Sequence, residues 1–335
     1  MSDLKGFNMD IYFREEYAKI YELNGEGKTT IFTWEGELGK VRYIFLKREI
    51  NLLKEKYYDI ITPYGYGGPQ FFPKEHKNLR DLIFKFKEHF EDYCSKNRII
   101  SEFIRFHPLL KNHSLMEIYM NIINIGDTIN LFLSSEDDIM LNMKKSSRYS
   151  IRKAVEKGMK VERDNSDKSW NNFIDLYYQT MNRNQAKEYY YFSKTYFGNI
   201  RSLLKERAQI FNVVYENKVI SSMLVLVGEQ FIHSHLLGIA SEYRKERFGR
   251  FFDYSIALWG LRRGCKHYHL GGGYGGREDS IFKYKKSLAK NGRLSFYVGN
   301  KVHNKKVYDE LSKIHEKNNP EVTGKNLDYF PLYRR

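Results

Sequence analysis

The chain is short of the residues that staple or break a fold. Only two cysteines, Cys94 and Cys265, occur in 335 residues. That excludes a disulfide framework, which needs several pairs. Six prolines and no low-complexity tract argue against long linkers. No apolar run approaches the roughly 20 residues of a membrane-spanning helix. The start, Met1-Ser2-Asp3-Leu4-Lys5-Gly6, lacks the apolar stretch of a signal peptide. A soluble, cytoplasmic protein is expected. Acidic residues are also scarce, with 41 Asp and Glu against 56 Lys and Arg, a net charge of +15.

Aromatic residues are plentiful. The 27 tyrosines and 23 phenylalanines exceed what a disordered chain carries, and the length suits two domains. The excess positive charge raises the local concentration of polyanions and speeds encounter with them. RNA, nucleotide-linked sugars and an anionic membrane face all suit such a charge, although a Lys-, Asn- and Ile-rich composition would produce it with none of them. The cations are clustered. Within the basic stretch Lys144–Arg163 an amphipathic helix is read with its stop at Gly158: Ile151, Ala154, Val155 and Gly158 recur on one face, and Arg148, Arg152, Lys153 and Lys157 lie off it. Two further clusters are Arg244–Lys266, with seven cations, and Lys283–Arg293, with five.

Periodicity and turn residues predict strands over 29–35, 40–47, 58–64, 99–106, 128–132, 209–216, 218–228, 230–237 and 266–270. Helices are predicted over 77–97, 136–158, 169–183, 193–205 and 251–263. This mixture indicates an α/β or α+β protein. Domains are expected at 1–145 and 166–335, with a basic connecting helix at 146–165.

The most distinctive segment follows the strand at 266–270. His269-Leu270-Gly271-Gly272-Gly273-Tyr274-Gly275-Gly276 runs into an aromatic and lysine-rich stretch, Ile281-Phe282-Lys283-Tyr284-Lys285-Lys286. Glycines let a loop approach a ligand and aim backbone N–H groups at it. The cations and rings behind it suit an anionic, partly planar substrate, though a flexible surface loop before a solvated helix would read the same. Gly271-x-Gly273-x-x-Gly276 also matches a dinucleotide fingerprint, but it lacks the βαβ context and the acid about 20 residues later. Cys265, His267 and His269 alternate on one strand, as His233 and His235 do on another. Zinc ligation is one reading and interior strand positions the other, and no metal site is expected.

Four segments together resemble the Fem-type aminoacyl-tRNA-dependent transferases, which build peptidoglycan cross-bridges. They are Phe103-Ile104-Arg105-Phe106-His107-Pro108, the basic helix Lys144–Gly158, Tyr178-Gln179-Thr180-Met181-Asn182-Arg183, and Leu270-Gly271-Gly272 through Tyr284-Lys285. The resemblance runs from about residue 40 to about 315. It implies two tandem GNAT-like (acetyltransferase-like) domains, each a mixed twisted sheet flanked by helices. It also implies transfer of an aminoacyl group from charged tRNA to an amine of a peptidoglycan precursor, such as a UDP-linked one, or a related acceptor. No bound cofactor is implied, and association with a membrane surface is compatible.

By the same resemblance, Lys285 stabilises the oxyanion and Tyr284 stacks on the terminal adenosine. Arg183 and Arg105 grip phosphates. Tyr64, Tyr66, Gly271, Gly272, Arg148 and Arg152 complete the substrate-binding set. His107, which stands where many members carry aspartate, could accept the amine proton; a capped histidine before proline is the structural reading. The usual F-K dipeptide is Tyr284-Lys285 here. The rival function is acetyl-CoA-dependent N-acetylation of an amino sugar of a cell-surface polysaccharide. Such enzymes hold pyrophosphate with a glycine-rich helix start, but here that stretch is Glu246-Arg247-Phe248-Gly249-Arg250-Phe251, with an acid and a bulky ring in it.

Overall fold

Short apolar runs closed by turn residues build twelve strands and nine α-helices among residues 10–322 and 329–335, which the computed structural model describes. The N-terminal hexapeptide read above lies outside them. The chain is mixed α/β and divides into two units that interleave in sequence. Among the described residues, one, here the flanking unit, comprises 12–125, 296–322 and 329–335; the nested unit comprises 10–11 and 126–295.

The flanking unit contains α1 (Glu15–Leu23), β1 (Lys28–Gly36), β2 (Gly39–Ile50), β3 (Tyr57–Ile61), β4 (Gln70–Pro73), α2 (Leu79–Lys96) and β5 (Ile99–Arg105). Strand β6 (Asn121–Phe132) leads out of it. The nested unit follows with α3 (Glu136–Asn142), α4 (Lys145–Glu156), β7 (Lys160–Arg163), α5 (Asp167–Arg183), α6 (Lys194–Leu204), β8 (Ala208–Tyr215), β9 (Lys218–Val227) and β10 (Phe231–Ile239). It continues through α7 (Gly249–Arg262), β11 (His267–Gly272) and α8 (Ser280–Leu288). Strand β12 (Arg293–Val302) returns the chain to the flanking unit, which ends with α9 (Lys305–Asn318).

Both units follow one pairing scheme. In the flanking unit β1, β2 and β3 pair antiparallel, β3 lies parallel to β5 across the α2 connection, and β5 pairs antiparallel with β12. In the nested unit β7 to β10 form an antiparallel meander, β10 lies parallel to β11 across α7, and β11 pairs antiparallel with β6. Each closing strand comes from a distant part of the chain, β12 from after its unit's main segment and β6 from before the meander. The structural division therefore differs from the expected cuts at 145 and 166. The basic helix α4 is part of the nested unit, and β12 and α9 complete the flanking one. Neither element is in the predicted set, although Val307, Tyr308 and Leu311 of α9 recur at helical spacing and are buried.

Each sheet has its own core. Leu82, Ile83, Phe86, Phe90 and Cys94 line one face of α2 and pack on Tyr43 and Phe45 of β2, with Phe86 and Phe90 stacked at 5.0 Å. In the nested unit, Ile232, Tyr268 and Leu270 meet Phe252 and Ile256 of α7. Ile151 and Ala154 of α4 join that core, whereas Val155 is 57% exposed. The helix expected over 136–158 breaks at Met143-Lys144, where both residues are extended, and Arg148 closes the break by donating to the Met140 and Met143 carbonyls at 3.2 and 3.0 Å. The strand expected to reach Tyr64 stops at Ile61, because Pro63 cannot continue a ladder. Both cysteines are buried and free. Among the described residues, no helix is long and apolar enough to cross a membrane.

Candidate active site

The glycine loop after β11 starts with a change of backbone hand. A bulge between His269 and Gly271 shifts the register with β6, and Gly271 has φ of +74°, where a side chain is disfavoured. A Cβ on Gly273 would lie 2.0 Å from the Arg277 carbonyl oxygen, so the loop closes on itself only because that side chain is missing. Asp279 then caps α8, accepting from the Phe282 N–H at 2.8 Å and the Tyr274 N–H at 3.0 Å.

Capping sets the phase of α8 and sends Lys285 back beneath the loop. Its Nζ donates to the Gly272 carbonyl at 2.7 Å. Burial lowers the Lys285 pKa to about 8, against the opposing pull of Asp253 and Asp279. Asp253 of α7 is 4% exposed. It accepts from the Tyr284 hydroxyl at 2.6 Å and the Tyr268 hydroxyl at 2.8 Å. Burial raises the Asp253 carboxyl above its ordinary range, with the two hydroxyls opposing. The phenols are themselves pushed well up, by burial first and by Asp253 second, and so remain donors. The Arg250 guanidinium sits 5.3 Å over the Tyr284 ring and donates through Nε to Ser147 Oγ and Ser287 Oγ at 3.0 and 3.1 Å. Gly249, the first residue of α7, admits this packing: a Cβ there would be 2.9 Å from the Tyr284 hydroxyl.

The structure thus gathers Lys285, Tyr284, Gly271 and Gly272 with Asp253 and Arg250. Tyr284 has its hydroxyl on Asp253 and one face under Arg250, a more committed position than a ring held open for stacking. Arg148 and Arg152 belong to α4 in the same unit; the first caps α3 and the second is exposed. Arg183 ends α5 and donates to the Ile239 carbonyl at 3.1 Å and Ser241 Oγ at 3.0 Å, which ties down the end of β10.

The other expected residues lie in the flanking unit. His107 is fully buried, with Tyr66 edge-on at 5.4 Å and Tyr12 and Phe13 nearby. Its Nδ1 accepts from the Leu110 N–H at 3.3 Å, and its backbone N–H donates to Asn112 Oδ1 at 2.9 Å. The Arg105 guanidinium lies 5.3 Å from the Phe103 ring, and its backbone N–H donates to Thr62 Oγ1 at 3.0 Å. The Tyr64 carbonyl accepts from the Tyr17 hydroxyl at 2.7 Å.

Two acids escaped the sequence reading. Asp253 had a signal, a lone carboxylate in the apolar run Phe251–Trp259. Asp10 had none. It is fully buried and pairs with His233 Nε2 at 2.7 Å, and the His269 ring stands edge-on to His233 at 5.5 Å. Burial, with His233 adding, lowers the His235 pKa to about 3, so His235 is neutral. Cys265 lies in the apolar core, while His267 stacks on Phe231 at 5.2 Å. Cys265 and His267 thus have separate surroundings. Glu246, in the stretch before α7, accepts from Lys157 Nζ at 2.5 Å.

The acetyltransferase (GNAT) domain family matches residues 142–286, a span holding α4, the meander, α7, β11 and Lys285. No curated protein sequence matches the chain. Among solved structures, FemX is similar with a TM-score of 0.68 and 13% identity, over 90% of this chain and 94% of that one. L-PGS from Bacillus licheniformis is similar with a TM-score of 0.52 and 12% identity, covering 87% and 93%. A conserved protein of unknown function from Bacteroides thetaiotaomicron has a TM-score of 0.56 and 11% identity, covering 88% and 94%. The chain has a Fem-like GNAT fold.

Proposed function

We propose that the protein transfers an aminoacyl group from charged tRNA to the amine of an anionic acceptor such as a nucleotide-linked cell-wall precursor. The amine nitrogen attacks the ester carbonyl, the new C–N bond forms, and the bond to the ribose oxygen breaks. The proton lost by the amine balances the one gained by that oxygen. Charge develops on the carbonyl oxygen in between, and a desolvated cation aimed at the site stabilises it. Lys285, held beneath the glycine loop at 2.7 Å from the Gly272 carbonyl, is the observation that carries this reading. With a pKa of about 8 it is mostly protonated near neutral pH. Asp253 fixes the Tyr284 hydroxyl, and so the register of α8, and no step is assigned to His107, whose Nδ1 accepts from the Leu110 N–H.

The start of α7 bears on the donor. A GNAT enzyme that uses acetyl-CoA holds pyrophosphate on such a helix N-terminus. Here the Tyr284 hydroxyl packs against Gly249, and Glu246 lies just upstream. The net charge of +15 favours a polyanionic donor. Incubation with individual charged tRNAs, and separately with acetyl-CoA, followed by mass analysis of amine acceptors, tests the reading. Acyl transfer only from charged tRNA is expected. Efficient acetyl transfer without tRNA would decide for the acetyl-CoA enzyme.

A further inference from the structure

The flanking unit holds a cavity of about 390 Å³ between the last turn of α2, the start of β5 and the junction of β12 with α9. That volume falls in the range of about 300–1,000 Å³ typical of small-molecule sites. Three observations define its chemistry.

The first is His303, which lines the cavity with a side chain only 6% exposed. Its Nε2 lies 3.3 Å from Glu102 Oε2, and the same oxygen accepts from the Tyr119 hydroxyl at 2.8 Å. Glu102 is completely buried. An ionised Glu102 only accepts, so Nε2 carries a hydrogen, and in the neutral imidazole Nδ1 is then an acceptor. Among the described residues no hydrogen bond to Nδ1 is seen, and the ring borders the cavity. The second is Arg98, whose φ is +54° directly after α2, a position where helices usually place glycine. Its side chain is 59% exposed, and the carboxylate paired with it, that of Glu55, is at 3.9 Å. The third is the distribution of the remaining polar groups. Glu91 presents a carboxylate that is 40% exposed and bonded to Lys301 through Oε1. The positive end of α9, a helix of 14 residues, begins at Asn304 on the cavity wall.

We propose that this cavity binds a free α-amino acid as its zwitterion. The ammonium group donates to His303 Nδ1 and Glu91, and an ammonium carries three donors for such acceptors. The carboxylate takes the planar fork of Arg98 beside the start of α9. The amino-acid side chain lies against Ile99 and Val302. A simple anion would meet a histidine acceptor and a glutamate, and a simple amine would leave Arg98 and the helix end unmatched. A ligand with both charges answers both sides.

Isothermal titration of the full chain with the standard amino acids, one at a time, tests the proposal. Acetate, methylammonium and inorganic phosphate serve as single-charge probes. At least one amino acid should saturate one site per chain, and none of the single-charge probes should. Arg98→Gly suits the left-handed backbone, so the fold is kept while affinity falls by at least about tenfold. His303→Gln should weaken binding similarly. Lys285→Met should leave this binding intact, which separates the site from the proposed acyl transfer. No binding by any amino acid, saturation by phosphate or acetate alone, or wild-type affinity in Arg98→Gly would each overturn the proposal.

Discussion

Lys285 is a cation held where a cation is costly. Its pKa falls from 10.5 in model peptides to about 8 in the folded chain, a difference worth about 3 kcal/mol. Below pH 8 both folded and unfolded chains hold the proton, and the penalty is present in full. Between about 8 and 10.5 the unfolded chain binds more protons, so this group's contribution to stability rises with pH. Lys285→Met should therefore raise the melting temperature at pH 7. It should also lower turnover by about 10²–10³-fold, with little change in tRNA affinity. Single-turnover kinetics beside a thermal melt checks both, and a wild-type rate would end the oxyanion role. The wild-type rate should also decline above pH about 8 as the charge is lost. Lys285→Arg, if it retains activity, should not show that decline, because a guanidinium stays charged.

The junction of α7 and α8 shows what element-level packing adds. Gly→Ala inside a helix ordinarily gains up to about 1 kcal/mol. At Gly249 the added Cβ would meet the Tyr284 hydroxyl at 2.9 Å. Gly249→Ala should instead destabilise by about 1–3 kcal/mol, as overpacking does, and slow transfer by displacing Tyr284 from Asp253. Denaturant unfolding and a rate measurement on the same variant would show whether the two losses go together. This contact illustrates the limit of sequence reading. The strands and helices with clean period and sharp turns were legible, such as β8 and β9 joined at Glu216-Asn217, both with positive φ. Lys285 and the glycine loop were legible from their pattern. Asp253 and Asp10 acquire meaning only through partners far along the chain, Tyr284 and His233, and no local pattern announces such pairs. Strand β12 was missed because Gly299, Asn300 and Lys301 interrupt its apolar run.

At the scale of the molecule, charge and connectivity make separate predictions. Binding of charged tRNA should weaken steeply with salt, in proportion to the phosphates neutralised. A salt titration with a flat response would remove RNA from the proposed partners. Connectivity bears on dissection. A fragment ending at 145 keeps β5 but lacks β12, its antiparallel partner over 298–302, and it leaves a long apolar edge bare. Such a fragment should be unfolded or aggregated by circular dichroism and light scattering, although a division by sequence alone would place a domain there.

The same exchange of closing strands fixes a timetable for synthesis. The residues that finish the nested unit, 126–295, are synthesised before residues 296–335. Helix α2 and strands β1–β5 emerge earliest, yet their sheet must wait for β12, nearly two hundred residues after β5. The part of the protein translated first is thus completed last. Through that interval the open edge of β5 is the surface most exposed to mispairing, and a pause in translation near residue 300 would prolong the exposure.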